Sequence, residues 1–131
     1  MRLSALALTP DASAQGNAAF SLLDILNLRL HSRLVVLSAC DTSRGRLLPG
    51  EGVLGLAQAF LQAGASSVVA SFWRVEDQAT ATFMTKFYEH LITDRLSASA
   101  ALRRAQLDQV SKDGTYSWAA FSLYGSPDTS L

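Results

Sequence analysis

The sequence has one cysteine, two histidines and no excess of charge of either sign. A single cysteine cannot form a disulfide within the chain, and this favours a reducing compartment, so a cytoplasmic protein is expected. The 11 basic and 11 acidic residues are scattered along the chain, so a nucleic-acid or membrane partner is not expected. No apolar run approaches the length of a membrane span or of a signal peptide. The sequence predicts no metal site and no cofactor.

The composition is that of a folded chain. Hydrophobic residues make up 49% of the 131 residues and charged residues 17%. A chain of this length buries one sizeable core and no more, so we expect residues 1–131 to form a single domain or part of one.

The clearest local pattern is the apolar run LVVL at residues 34–37, which is followed by Cys40. Such a run predicts a strand buried on both faces, in the middle of a parallel sheet. Ligands bind at the carboxyl ends of strands in open α/β sheets, so Cys40 lies where a nucleophile is expected. Free cysteine is also common in protein cores, so position alone leaves open a purely structural role for Cys40.

The first third of the chain predicts a strand, a loop and a short helix. Residues 3–8 alternate in polarity like an edge strand, and residues 11–17 are small and polar like a surface loop. Ser21 is placed to cap a helix over residues 22–28. The apolar face of that helix would be formed by Leu22, Leu23, Ile25 and Leu26.

The segment after Cys40 predicts a helix and a second buried strand. Apolar residues recur at helical spacing within residues 52–63, and Gly64 ends the pattern in the C′ position. These apolar residues are Val53, Leu56, Ala57, Phe60 and Leu61. Residues 66–72 then predict a strand parallel to the first one, because a crossover through a helix is right-handed and returns the chain in the same direction. Residues 71–77 should therefore emerge beside Cys40.

Two further helices and a closing strand are predicted in the remaining sequence. Glu76 or Asp77 can cap a helix that runs to about residue 92, and Ser97 can cap another that ends near residue 110. The inward residues of the two helices would be Ala79, Phe83, Met84, Phe87 and Leu91, and Ala98, Ala101, Leu102 and Ala105. Residues 117–125 predict a final strand that closes one edge of the sheet.

Five segments of the sequence together carry a resemblance to a known family. They are LVVLSACDT at residues 34–42, GEGVLGLAQAF at 50–60, AGASSVVAS at 63–71, WRVED at 73–77 and WAAF at 118–121. In this order they resemble the CHAT family, which consists of caspase-like cysteine peptidase domains that are often attached to tetratricopeptide repeats. The resemblance covers about residues 21–125.

The resemblance implies a caspase-like three-layer α/β sandwich with a mostly parallel central sheet, helices on both faces and one or more N-terminal strands missing. It places Cys40 on the family's nucleophile and implies a protein or peptide substrate. The segment containing Ser71, Trp73 and Asp77 looks like the part that binds the substrate side chain before the cut bond. Asp77 as a plain helix cap and Trp73 as packing at the sheet edge are equally open.

The sequence departs from the family pattern in one important way. The family carries its general base in a His-Gly motif on the preceding parallel strand, and Met1 falls after that place. His31 and His90 are each expected on the order of 20 Å from Cys40, at the solvated surface. Without a base a cysteine is only a few per cent thiolate at neutral pH, and one oxyanion donor is lost with the motif. The chain alone is therefore expected to be inactive.

Three hypotheses follow. The chain is the C-terminal part of a CHAT cysteine peptidase whose His-Gly segment comes from a longer gene product, with or without tetratricopeptide repeats, or from a second chain. Alternatively, it is a catalytically degenerate domain that binds a peptide or protein as an adaptor. A third hypothesis is a truncated reading frame whose open sheet edge must pair with something.

Overall fold

The computed structural model of the chain describes residues 5–7, 19–38, 51–110 and 116–131. These residues form five strands, four α-helices, a π-helical turn and a 3-10 helix. In chain order the elements are β1 (Ala5–Ala7), β2 (Ala19–Ser21), α1 (Leu22–Leu26), β3 (Leu34–Leu37), α2 (Glu51–Gln62), β4 (Ser67–Ser71), α3 (Asp77–Tyr88), the π-helical turn (Glu89–Thr93), α4 (Ala98–Val110), the 3-10 helix (Tyr116–Ala120) and β5 (Phe121–Gly125). None of the helices in these ranges has the length and hydropathy needed to cross a membrane.

The described strands form two sheets. β1 and β2 make an antiparallel pair, and β3, β4 and β5 form a mixed sheet in that order. β3 and β4 are parallel, as the helical crossover predicts, whereas β4 and β5 are antiparallel. The chain therefore has an α/β fold in which one of the two described pairings of the larger sheet is parallel.

Among the described strands the central one is β4, whereas the sequence predicted β3 in the middle of the sheet. All five residues of β4 are buried. In β3 only Leu37 is buried, and the other three residues are half-buried. Among the described strands, β3 pairs with β4 alone and so lies at the edge of the sheet. Its continuous apolar run fits a central strand, but the run alone does not reveal how many neighbours the strand has.

Helices cover both faces of this sheet. Because side chains alternate across a strand, Val68 and Ala70 face one side and Val69 faces the other. Val68 and Ala70 belong to a core cluster with Val53, Leu56, Ala57 and Phe60 of α2. Val69 belongs to a second cluster with Phe83 and Phe87 of α3 and Ala101, Leu102 and Ala105 of α4. The sheet is thus the middle of three layers.

The helix α1 is shorter than predicted, although its cap is confirmed. The Asp24 backbone N–H donates to Ser21 Oγ at 3.2 Å, and the Ser21 backbone N–H donates to Asp24 Oδ2 at 2.8 Å, which forms a capping box. The Ser21 hydroxyl also donates to Asp24 Oδ2 at 2.6 Å, and this bond, followed by the one from the Ser21 backbone N–H, lowers the pKa of Asp24. Of the predicted apolar face only Ile25 is buried, and Leu23 is 56% exposed. A helix of five residues is too short to bury a full face.

The helix α2 and its end follow the prediction closely. Four of its five predicted core residues are buried and Leu61 is partly buried. The Gly64 N–H donates to the Leu61 carbonyl at 3.1 Å, and the Ala65 N–H donates to the Phe60 carbonyl at 3.0 Å. This pair of bonds is a Schellman motif, in which Gly64 takes the left-handed conformation at φ 114°.

In the second half of the chain the structure confirms the two predicted helices, but the last strand is shorter than predicted. The predicted inward residues Phe83, Phe87 and Leu91 are buried, as are those of α4. The Phe83 ring stacks on Phe121 with centroids 4.4 Å apart. The predicted strand over residues 117–125 is wrong in its first part, where a 3-10 helix ends at Ala120. β5 begins at Phe121 and lies at the edge beside β4, as predicted.

Candidate functional site at the ends of β3 and β4

The carboxyl ends of β3 and β4 lie side by side. Leu37 is in register with Ala70, and the two strands run in the same direction. The chain therefore leaves both strands at the same edge of the sheet, where Ser38 is exposed. Cys40, the predicted nucleophile, follows two residues later and lies outside the described residues, as does the loop up to residue 50.

The segment after β4, residues 71–77, is called the rim below. Ser71 is only 2% exposed, and its backbone is in register with Phe121 of β5. The next backbone N–H, that of Phe72, donates to the Ala120 carbonyl at 2.8 Å. The rim is thus fixed to β5 at its start, and the Ser71 side chain lies inside the protein.

Much of the rest of the rim faces solvent, although Phe72 and Val75 are half-buried. Trp73 is 41% exposed, and Arg74, Glu76 and Asp77 are also exposed. The helix α3 begins at Asp77, and its N-cap is Glu76, whose side chain makes no capping hydrogen bond. Of the two predicted cap residues, Glu76 therefore occupies the cap position without capping through its side chain. An exposed aromatic ring beside charged groups of both signs is a surface that a peptide chain can contact.

Neither histidine of the chain lies near this edge. His31 is exposed and precedes β3, at the opposite end of the strand from Ser38. His90 lies 13 residues after the start of α3, and a helical rise of 1.5 Å per residue places it about 20 Å from the rim.

His90 is not a solvated surface residue, which corrects the sequence-based expectation. It is 9% exposed, its Nδ1 lies 2.7 Å from Asp94 Oδ2, and its Nε2 lies 2.7 Å from Asp108 Oδ2. Hydrogen bonds with Asp94 and then Asp108 raise the pKa of His90 against the effect of burial. With both ring nitrogens engaged, His90 has no free nitrogen with which to accept a proton from a thiol.

The structure adds two residues that support the rim and that sequence reasoning missed. The Phe72 ring contacts the Tyr124 ring edge to face, with centroids 5.8 Å apart, and burial raises the pKa of Tyr124. Gln106 of α4 donates through Nε2 to the Phe121 carbonyl at 3.0 Å and so holds the start of β5. The aromatic residues at the ends of both strands were a usable signal for the first contact, but no sequence pattern pointed to Gln106.

The described parts of the chain hold no group of three or more histidine, cysteine, aspartate or glutamate side chains arranged for a metal ion.

Comparison with known proteins assigns the chain to a family. The family model described as "CHAT domain" matches residues 1–126, a range that includes the resemblance over residues 21–125. Tetratricopeptide repeat protein 28 of Mus musculus and that of Homo sapiens are each 41% identical to the chain over 106 residues. Those residues are 79% of this chain but 4% of each relative, so the chain matches a small part of much longer proteins. The chain belongs to the CHAT domain family.

Proposed function

We propose that the chain is the C-terminal part of a caspase-like CHAT cysteine peptidase, with Cys40 as the nucleophile. In this proposal the rim, through Ser71, Trp73 and Asp77, shapes the site for the substrate side chain before the cut bond. The supporting observation is the parallel register of Leu37 with Ala70, because it makes the chain that leads to Cys40 and the rim leave the sheet at one edge. Ser71 would contribute through its backbone position, since its side chain is buried.

The proposed reaction is peptide-bond hydrolysis through a covalent intermediate. The Cys40 thiolate attacks the peptide carbonyl carbon, the amine leaves with a proton, and water then releases the acyl group from sulfur. A thiol with a pKa of about 8.5 needs a base or a nearby cation to react well at neutral pH. His31 and His90 do not lie at this edge, so the base has to come from the family's His-Gly segment, outside this chain. The chain alone is then inactive.

The outer edge of β3 is the proposed place for that segment. Leu34, Val35 and Val36 are apolar but only half-buried, and no described strand pairs with that edge. A further parallel strand there would complete the caspase-like sandwich, bury these residues and bring a histidine beside the nucleophile. The strand belongs to a longer polypeptide or to a second chain. The relatives' name suggests a polypeptide with tetratricopeptide repeats, and the single cysteine suggests one in the cytoplasm.

A thiol-directed peptidyl probe tests this proposal. The 131-residue chain is compared with the same chain extended upstream by a strand that ends in His-Gly. Labelling is expected at Cys40 in the extended protein, at least tenfold slower labelling in the chain alone, and none after Cys40→Ala. The matched variant His31→Gln should leave labelling unchanged. Equal labelling with and without the upstream strand, or no labelling of either protein, contradicts the proposal.

A peptide-binding or adaptor module is the second candidate. The exposed Trp73 ring at the rim favours it, because large exposed aromatic side chains commonly anchor protein interfaces. A module of this kind binds its partner without cutting it. Trp73→Ala should then weaken binding at least tenfold while Cys40→Ala leaves it unchanged, as measured by calorimetry against a peptide that binds the unmodified protein. Cleavage of that peptide by the unmodified protein, abolished in Cys40→Ala, argues for the peptidase.

A further inference from the structure

His90 joins two helical segments through both of its ring nitrogens. The imidazole lies in the π-helical turn that continues α3, and it contacts Asp94 at the end of that turn. Its other nitrogen contacts Asp108 of α4, 18 residues further along the chain. Both nitrogen-to-oxygen distances are 2.7 Å, and the His90 side chain is 11% exposed. The bridge is therefore short on both sides, and its imidazole is largely shielded from water, whereas the side chains of Asp94 and Asp108 are 49% and 35% exposed.

The chemistry of the bridge fixes its charge state. An ionised carboxylate only accepts hydrogen bonds, and a neutral imidazole carries a single N–H. Neutral His90 can therefore donate to Asp94 or to Asp108 but not to both, and the second contact would place two acceptors against each other. Both contacts are favourable together only when His90 is protonated.

We infer that the Asp94–His90–Asp108 bridge is a proton-dependent lock, which holds α4 against the end of α3 while His90 is protonated and loosens when it is deprotonated. The lock acts across an interface that is mostly apolar on the core side, where one polar contact joins Gln109 Nε2 of α4 to the Ala79 carbonyl of α3 at 3.3 Å. Ala98, Ala101 and Leu102 of α4 are buried there together with Phe87 and Leu91. The bridge closes this interface at its outer border.

Other charged groups around the bridge support the same charge state. Lys86 Nζ lies 2.7 Å from Glu89 Oε2, and this hydrogen bond and the Glu89 charge raise the pKa of Lys86, with smaller contributions from the charges of Asp108 and Asp94. Bonding to His90, together with the charges of His90, Arg104 and Lys86, lowers the pKa of Asp108. The two carboxylates on His90 are thus balanced by the imidazolium and by cations on both helices.

The sign of the pH dependence follows from these directions. His90 has a raised pKa in the folded chain, so its contribution to stability is complete below the unfolded value of 6.5 and is lost as pH rises through the folded value. Asp108 has a lowered pKa, so its contribution is present above 3.8 and is lost as pH falls through its folded value. The lock is firmest between these two limits.

A hydrogen bond links the helix that carries Asp108 to the strand beside the candidate site. Gln106 of α4 donates through Nε2 to the Phe121 carbonyl. Phe121 is in register with Ser71, the first residue of the rim.

A nuclear magnetic resonance titration of the two histidines tests the lock directly. His31 is exposed, and its signals are assigned by their loss in His31→Gln. The pKa of His90 should lie above 6.5, the ordinary value for histidine, with both ring N–H protons protected from exchange near neutral pH. A His90 midpoint at or below 6.5 overturns the inference.

Thermal unfolding of matched variants gives the second test. The melting temperature of the unmodified chain and of His31→Gln should fall as pH rises above 6.5 and through the raised pKa of His90. His90→Gln should be less stable at pH 6.5 and should lose this fall, because glutamine does not titrate. An equal fall in His90→Gln overturns the inference. If His90→Gln does not fold, Asp108→Asn replaces it, and that variant should lower the pKa of His90 towards the ordinary value of 6.5.

Discussion

The two ends of the three-stranded sheet differ in how the chain is held. Where β3 and β4 begin, side chains form hydrogen bonds with the segment that follows β5. Ser67 is fully buried, and its hydroxyl contacts the Thr129 hydroxyl and donates to the Ser126 carbonyl at 2.8 Å. Arg33 Nη1 donates to the Ser130 carbonyl at 2.9 Å. The segment that follows β5 is thus tied back onto the strands.

At the opposite end the described chain is held mainly near its start, by Phe72, and by Val75, which packs against the core. The Phe72 N–H donates to the Ala120 carbonyl, and the rim beyond it exposes an indole ring and three charged side chains. In many proteins a well-packed scaffold carries exposed segments that form the functional site, and the two ends of this sheet fit that arrangement. The difference indicates that substitutions at the first end should cost stability and substitutions at the second should cost function.

The largest effect is expected at Gly64, which lies at the tied end. A Cβ atom at this position would lie 2.2 Å from the Leu30 carbonyl oxygen, and φ is 114°. Gly64→Ala should lower the free energy of unfolding by about 3 kcal/mol, through the clash and the left-handed conformation. Chemical denaturation measures this loss.

Gly55→Ala is the matched control for this prediction. Gly55 lies within α2, and an added Cβ would meet nothing within 4 Å. Alanine should stabilise the helix there by about 0.5–1 kcal/mol. Similar losses in the two variants would show that the Schellman motif does not hold this end.

A smaller loss is expected at Ser67. Ser67→Ala removes a buried hydroxyl and its contacts with the Ser126 carbonyl and the Thr129 hydroxyl. The loss should lower the free energy of unfolding by about 1–2 kcal/mol. Ser66→Ala is the control, because Ser66 is exposed and its backbone bonds would remain. If Ser67→Ala is as stable as the control, the polar network at the tied end contributes nothing.

The smallest effect on stability is expected at the rim. Trp73→Ala should change the free energy of unfolding by about 0.5 kcal/mol or less, because the ring is 41% exposed. The same denaturation series checks this value. A loss larger than that of Ser67→Ala would mean that Trp73 packs as a structural residue and that the two ends do not differ.

Local sequence patterns predicted the elements that bury a regular face. The spacing of Val53, Leu56 and Phe60 fixed α2, and Gly64 marked its end because a Schellman motif needs that residue type. The parallel direction of β3 and β4 followed from the helix between them. The shared edge of the candidate site was therefore predictable, although the site residues themselves remain predictions.

The remaining features depend on partners that are distant in sequence. β2 is three residues long and exists through its pairing with β1. The antiparallel direction of β5 is set by tertiary packing and not by its own residues. The burial of His90 requires Asp108 from another helix, and only the spacing of His90 and Asp94 on one helical turn gave a local hint.

We propose that Cys40 lies at the same edge of the sheet as the rim. Because Cys40 is the only cysteine of the chain, a label attached to it measures this directly. A nitroxide attached to Cys40 broadens the amide resonances of nearby residues. Strong broadening is predicted for Trp73 and Asp77, with little for Ser67 and Thr129 at the opposite end. Broadening of Ser67 and Thr129 instead, or a thiol that does not react with the label in the folded protein, would contradict the account.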